Sequence, residues 1–398
     1  MAFFVHEEIH QSRNDLDIFL AASRDLFEGK NVYGELYFDG YHYYYSVLFA
    51  TLIHPLTWLS SPDSKALWIL LNILMVIQIW RRMYYYLEVP WLRAEMKTLL
   101  GTLVLIFCLR FIRGNLHLCQ MTIIILFLTI EGMYRFLKGN YIIGSFLLAL
   151  AINFKLLPLV LIPYLFWRAE FKGAILTIFL VFVMWFSPAL WMGKERNEML
   201  LQEYVVLVNP LQDKHILDVS ETSFHSLTTF FAVYFTENPP EHHTFIAPRS
   251  MASLSVDQLR MLVNVFRILL IIGTLWFLRS KPFRRAESKQ KSWWEISYIL
   301  LLIPLIFPHQ QHYAFMLTMP AVAWILFRWI QEARIGKKRM TVFILMVVVY
   351  LTFNLSLLLG VFIEWYNHYK ILTWGTLLLM VILALTPPRE SKVAMSVN

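Results

Sequence analysis

Charge is scarce in this chain. Of its 398 residues only 16% are Asp, Glu, Lys or Arg, while 58% are hydrophobic and the mean hydropathy is +0.55. A soluble domain carries roughly 25% charged residues, so a water-soluble globule of this length is excluded. Cysteine is scarcer still: Cys108 and Cys119 both lie inside apolar runs without ligand-like spacing, which points to packing and not to a disulfide or metal site. Alternating segments of about ten residues are missing, and with them a transmembrane barrel. Residues 1–20 lack a continuous apolar stretch, so no cleavable signal sequence is read there. No acidic cluster suits a metal ion, and no cofactor motif is present.

What is present is a series of apolar runs of about 16 to 21 residues, close to the ~20 that cross a ~30 Å hydrocarbon core as helix. They fall at 66–82, 97–112, 118–135, 172–191, 260–278, 293–308, 313–331, 340–360 and 370–386. Asn153, Lys155 and Pro158 interrupt 141–167. A Lys in mid-membrane is costly, so two shorter helices meeting near Lys155 are expected there. The fold class is therefore an all-α polytopic membrane protein, with about 10–11 membrane helices at this spacing.

Loop charge sets the orientation. Basic clusters at Arg81/Arg82/Arg93/Lys97, Arg135/Lys138, Arg168/Lys172, 279–291, Arg328/Arg334/Lys337/Lys338/Arg339 and Arg389/Lys392 all fall on one side once 141–167 is split. That side is cytoplasmic by the positive-inside rule, and the surplus of 35 Lys and Arg over 27 acids needs no nucleic-acid partner. Segment 43–59, with Tyr41-His42-Tyr43-Tyr44-Tyr45 and His54-Pro55, reads as an interfacial helix on the outer surface. The expected organisation is an acidic outer head (1–42), this interfacial helix (43–61), a membrane half (62–191), a large outer loop (192–258), C-terminal membrane helices (259–388) and a cytoplasmic tail (389–398).

The outer side then collects the chemistry. Asp15 and Asp17 sit in the head, where acids also serve as helix caps or as a solvated face. Arg110, Arg113, Asn115 and His117 lie between two helices, with Gln120 beyond them and Lys155 at the break. Cations on the outer face run against the positive-inside bias. A fixed anion such as a lipid phosphate explains Arg110, Arg113 and Lys155; snorkelling to headgroups is the alternative. His225 stands in the long loop, and His309 and His312 in the run 308–313 lack a third ligand for a metal. The stretch 237–243 reads as plain loop, and the helices after about residue 335 carry no legible motif. A lipid-linked-sugar transporter or flippase would show internal repeats and midplane charges. No repeat is visible, and Arg267 and Glu131 are the candidates for buried charge. A glycan polymerase or ligase would lack the acidic head.

These segments, in this order, resemble the polyprenol-phosphate-dependent enzymes of glycosyltransferase family 87, which have the GT-C fold. The resemblance rests on Asp15 with Ile18-Phe19-Leu20-Ala21-Ala22, Leu26-Phe27-Glu28-Gly29 and Tyr33; on Tyr43 to Phe49; on Trp68 and Asn72; on Arg110/Arg113-Gly114-Asn115 and Gln120; on Ala151, Lys155 and Pro158; and on Pro308, His312, Tyr313 and Pro320. Ser46 stands where the family has proline, and Ser223-Phe224-His225-Ser226-Leu227 replaces its Asn-Gln-Ser-Leu.

The resemblance implies an inverting hexosyltransferase, mannose being the favoured sugar, in a bacterial inner membrane with its site facing outward. The donor would be a polyprenyl-phosphate sugar and the acceptor a glycolipid or envelope glycan. Asp15 is the implied base, with Asp17 second. His312 would assist catalysis; Arg110, Arg113 and Lys155 would hold the donor phosphate; Asn115, Gln120, His225 and His309 would make further substrate contacts. No metal or cofactor is implied beyond membrane lipids as surroundings. A first helix preceding the head is implied as well.

Overall fold

The computed structural model describes residues 14–38, 40–89, 92–209, 215, 223–236, 249–331, 337–360 and 363–388. Residues 1–13, 237–243, Arg334 and the tail from Arg389 lie outside the described residues. The only extended pairing among the described residues is an isolated bridge, Tyr37 to Tyr41.

The acidic head forms helix α1 (Asp15–Phe27). Asp17 closes its first turn by accepting from the Asn14 backbone N–H at 3.0 Å. Leu16, Phe19, Leu20 and Leu26 recur on one face and are buried, the spacing of an amphipathic helix. The expected interfacial helix is α2 (Val47–Ile53), continued by a 3-10 turn at His54–Trp58. Ser46 takes the place of the expected proline by capping α2, its hydroxyl accepting from Phe49 N at 3.2 Å.

The bundle follows as α3 (Ser61–Leu87), α4 (Ala94–Phe107), α5 (Leu109–His117), α6 (Thr122–Leu137), α7 (Tyr141–Phe154), α8 (Leu161–Trp167) and α9 (Phe171–Phe186). After it come α10 (Lys194–Val208), α11 (Leu227–Phe235), α12 (Val256–Leu278), α13 (Lys289–Ile306), α14 (Met319–Gln331), α15 (Lys337–Asn354), α16 (Ile363–His368) and α17 (Ile371–Leu385). The loop expected over 192–258 is thus partly helical. Its α10 packs on the head, where Arg196 donates to Leu26 O at 2.7 Å and Asn31 to Glu203 at 2.7 Å.

Length and composition qualify five helices among the described residues to cross a membrane: Ser61–Leu87, Phe171–Met192, Val256–Leu278, His312–Gln331 and Arg339–Leu357. The run expected to span at 97–112 is two helices bent by 58° at Cys108. Arg110 and Asn115, both buried, begin there, and such polar side chains turn a helix face toward protein. The rest of the larger number read from hydropathy corresponds to apolar helices of 14 to 16 residues, to the 18-residue α13, which carries Lys289, Lys291 and Glu295, and to the short segment Leu157–Trp167.

The split of 141–167 is present. Ser145 donates to Gly173 O at 3.0 Å, and Asn153 meets Met184 Sδ at 3.5 Å, so α7 and α9 run in the same direction. The chain between them must return, which α8 does. Gly132 and Gly144 let α6 and α7 touch: a Cβ on Gly132 would stand 3.1 Å from Gly144 O. Lys155 occupies the break in extended backbone.

The basic loops gather at one end of the bundle. Glu131 accepts from both Arg82 and Arg135, Lys289 pairs with Glu88 at 3.2 Å, Arg285 with Glu170 at 3.5 Å, and Arg168 with buried Glu295. Glu131 is therefore part of this ionic end, and Arg267 donates to Thr228 at 3.1 Å. The head lies at the other end. Helix α6 starts beside it and runs 16 residues to Leu137, about 24 Å at 1.5 Å per residue.

Candidate functional site

Asp15 is fixed from two directions. Its backbone N–H donates to Leu118 O at 3.1 Å, and its carboxylate accepts a hydrogen bond from the Gln120 amide. Gln120 is aimed by a tight turn between α5 and α6 in which Cys119 adopts φ +49°. Its carbonyl oxygen in turn faces the Tyr45 hydroxyl at 3.4 Å. Lys155 lies across the same ring, its ammonium 5.6 Å from the Tyr45 centroid. Burial pulls the Lys155 pKa down to about 8, while the charge of Asp15 pushes it back up. Lys155 forms no ion pair among the described residues, which is the condition for an incoming anion to take that place.

Asp17, two residues on, is used differently. It caps α1 and pairs at 3.1 Å with Lys65, which is buried in the first turn of α3. Removing one partner of a buried ion pair leaves a charge uncompensated, so this carboxylate is committed to holding the head on α3.

A second group surrounds Arg110. Its guanidinium is buried, donates to the Tyr366 hydroxyl at 2.6 Å and to Phe353 O at 3.3 Å, and lies over the Tyr366 ring at 4.6 Å. His312 packs directly on Gly114, where a Cβ would stand 2.5 Å from its Nε2. Asn115 ties the 3-10 turn His312–Thr318 to α5 by donating to Tyr313 O at 2.9 Å. His225 is fully buried, its backbone N–H donating to Gln310 O at 2.8 Å and its carbonyl accepting from Thr373 at 2.7 Å. Burial first, then Lys370, Arg110 and His312, hold its imidazole well below the usual histidine range, so it is neutral.

The two groups meet along α5. The Gln120 N–H donates to Asn115 O at 2.8 Å, and Asn115 reaches Tyr313, neighbour of His312. His309, with φ +56°, hydrogen-bonds His215 and lies over Tyr44 at 6.0 Å between ring centroids. Arg113, one turn from Arg110, is exposed and does not share its buried setting.

Tyr366, which the sequence places only within the outward-facing turn 364–368, was given no role, and Lys370 was missed. They come from the C-terminal helices, where no motif was legible, yet Tyr366 holds Arg110 and Lys370 is buried beside His225. The available signal was a lone Lys in an apolar context just before α17, as unusual there as Lys155 is at its own break.

Comparison with known protein families matches residues 43–288 to Glycosyltransferase family 87. No curated protein and no solved structure matches the chain. The matched stretch includes Tyr45, Arg110, Arg113, Asn115, Gln120, Lys155 and His225. Asp15, His309, His312, Tyr366 and Lys370 fall outside it.

Proposed function

The chain belongs to glycosyltransferase family 87, and on that premise we propose that it transfers a hexose, mannose foremost, from a polyprenyl-phosphate carrier to a glycolipid or envelope-glycan acceptor. The basic end faces the cytoplasm, which puts the Asp15 end at the outer surface of a bacterial inner membrane. The acceptor hydroxyl attacks the anomeric carbon while Asp15 takes its proton. The bond from that carbon to the phosphate oxygen breaks, and polyprenyl phosphate departs with the bonding pair, inverting the anomeric centre. Lys155 and Arg110 stabilise the charge gained by the phosphate, and His312 donates a hydrogen bond to it. Arg113, being exposed, meets the headgroup at the rim.

The observation that carries this reading is the division of labour between the two head carboxylates. Asp15 stands beside a cation that has no ion-pair partner among the described residues, whereas Asp17 is taken up by Lys65. The test is incubation of purified protein with a panel of polyprenyl-phosphate sugars and an acceptor extract. Release of polyprenyl phosphate with one sugar is the expected result; release with none would contradict the reading.

A further inference from the structure

A cavity of about 180 Å³ opens at the basic end of the bundle, remote from Asp15. Tyr86, Tyr141, Tyr164, Arg168, Glu170 and Arg285 contribute its polar wall. Arg168 is occupied by Glu295, and the Tyr164 hydroxyl donates to the same carboxylate at 3.0 Å. Two polar atoms of the wall are buried without a hydrogen-bond partner: the Tyr86 hydroxyl and Glu170 Oε2. A carboxylate oxygen takes a donor and a phenol takes either role. A bound group with hydroxyl or ammonium hydrogens would suit both atoms.

Arg285 stands at the mouth. Its side chain is 69% exposed, its Nε lies 3.5 Å from Glu170 Oε1, and it donates to the Tyr141 hydroxyl at 3.1 Å. The flanks of the mouth are apolar and open. Leu137 lines the cavity and is exposed, and the exposed rings of Phe171 and Phe283 stack at 5.9 Å beside Glu170 and Arg285 in sequence. A polar cavity with a cationic rim, set against exposed apolar surface at the basic end of a membrane bundle, suits a phospholipid head better than a free solute. Its volume is many times the ~10–15 Å³ that one water needs by the same measure, enough for a small polyol.

We propose that this cavity holds the head of an anionic phospholipid with free hydroxyls, of the phosphatidylglycerol type. The phosphate lies on Arg285, the head hydroxyls reach Glu170 and Tyr86, and the acyl chains run along Leu137, Phe171 and Phe283. The site stands apart from the transferase reading, because binding is read without turnover.

The test uses the full chain, delipidated in detergent and titrated with dihexanoyl phosphatidylglycerol, phosphatidylethanolamine or phosphatidylcholine. The thermal midpoint is followed, and native mass spectrometry counts bound lipid. The expected result is a saturable rise with one phosphatidylglycerol per protein, and at least tenfold weaker binding in both Tyr86→Phe and Arg285→Ala. Neither change threatens folding, since one removes a single oxygen and the other a largely exposed side chain. Lys194→Ala, an exposed position on α10, keeps the wild-type response. Equal responses to all three lipids, or unaltered binding in both variants, would overturn the proposal. So would selective binding of phosphatidylethanolamine, which would assign Glu170 an ammonium instead of a hydroxyl.

Discussion

Gln120, at the turn between α5 and α6, donates its side-chain amide to the carboxylate of Asp15, 105 residues earlier in the chain. This contact fixes the orientation of the carboxylate proposed as the base. A carboxylate at Gln120 would place two like charges together and raise their pKa. Gln120→Glu is expected to move the acidic limb of the kcat/KM profile upward by about one unit or more. A limb at the wild-type position would show that Gln120 does not set the state of Asp15.

Asp17 should behave as a structural residue. Asp17→Asn removes the carboxylate that pairs with buried Lys65 at 3.1 Å, and breaking a buried pair costs about 3–5 kcal/mol. Chemical or thermal unfolding should show that loss, while the protein that remains folded should keep most of its kcat. A large fall in kcat with unchanged stability would return Asp17 to the reaction.

If Lys155 holds the donor phosphate as proposed, it gives the enzyme a basic limit. Its folded-state pKa, lowered by burial to about 8, means that it is protonated below that pH and neutral above it. An anionic donor binds the protonated form, so kcat/KM should fall as pH rises through about 8. A bound phosphate favours the charged form, so the limb in kcat should lie at higher pH. Lys155→Met should remove the limb and raise the donor KM by at least about tenfold, the equivalent of ~1.4 kcal/mol. A pH profile unchanged in that variant would exclude Lys155 from the phosphate site.

Two glycines separate site geometry from stability. A Cβ at Gly114 would stand 2.5 Å from His312 Nε2, and one at Gly101 would stand 2.2 Å from the Trp80 ring. Both Gly114→Ala and Gly101→Ala should lower the thermal midpoint by overpacking, at about 1–3 kcal/mol. Only Gly114→Ala should also lower turnover per folded molecule, because His312 must move. Equal turnover in the two variants would remove His312 from the mechanism.

Much of this arrangement could be read from sequence because lipid imposes strict rules. Loop charge and a misplaced Lys predicted the reversal at Lys155, and the parallel course of α7 and α9 bears it out. The head, the Arg110 segment, Gln120 and the 308–313 run were each recognisable as polar groups that an apolar helix would otherwise avoid. Hydropathy could not separate helices with an exposed apolar surface from apolar ones buried by neighbours: 78% of the apolar window in His312–Gln331 is buried inside the protein. The pairing of Arg110 with Tyr366 and the burial of Lys370 depend on contacts across some 250 residues of chain. No local period or motif encodes such contacts. Nor could spacing alone decide between Asp15 and Asp17, since their partners come from separate parts of the chain, Gln120 from the turn between α5 and α6 and Lys65 from α3.

The central claim is that Asp15 accepts the proton of the attacking hydroxyl. Its most direct test is the rate of polyprenyl-phosphate release by Asp15→Asn with saturating donor and acceptor, in protein shown to be folded and to bind donor normally. The account predicts a fall of about 10²–10⁴-fold, the contribution of a general base. Turnover within a few-fold of wild type would contradict it.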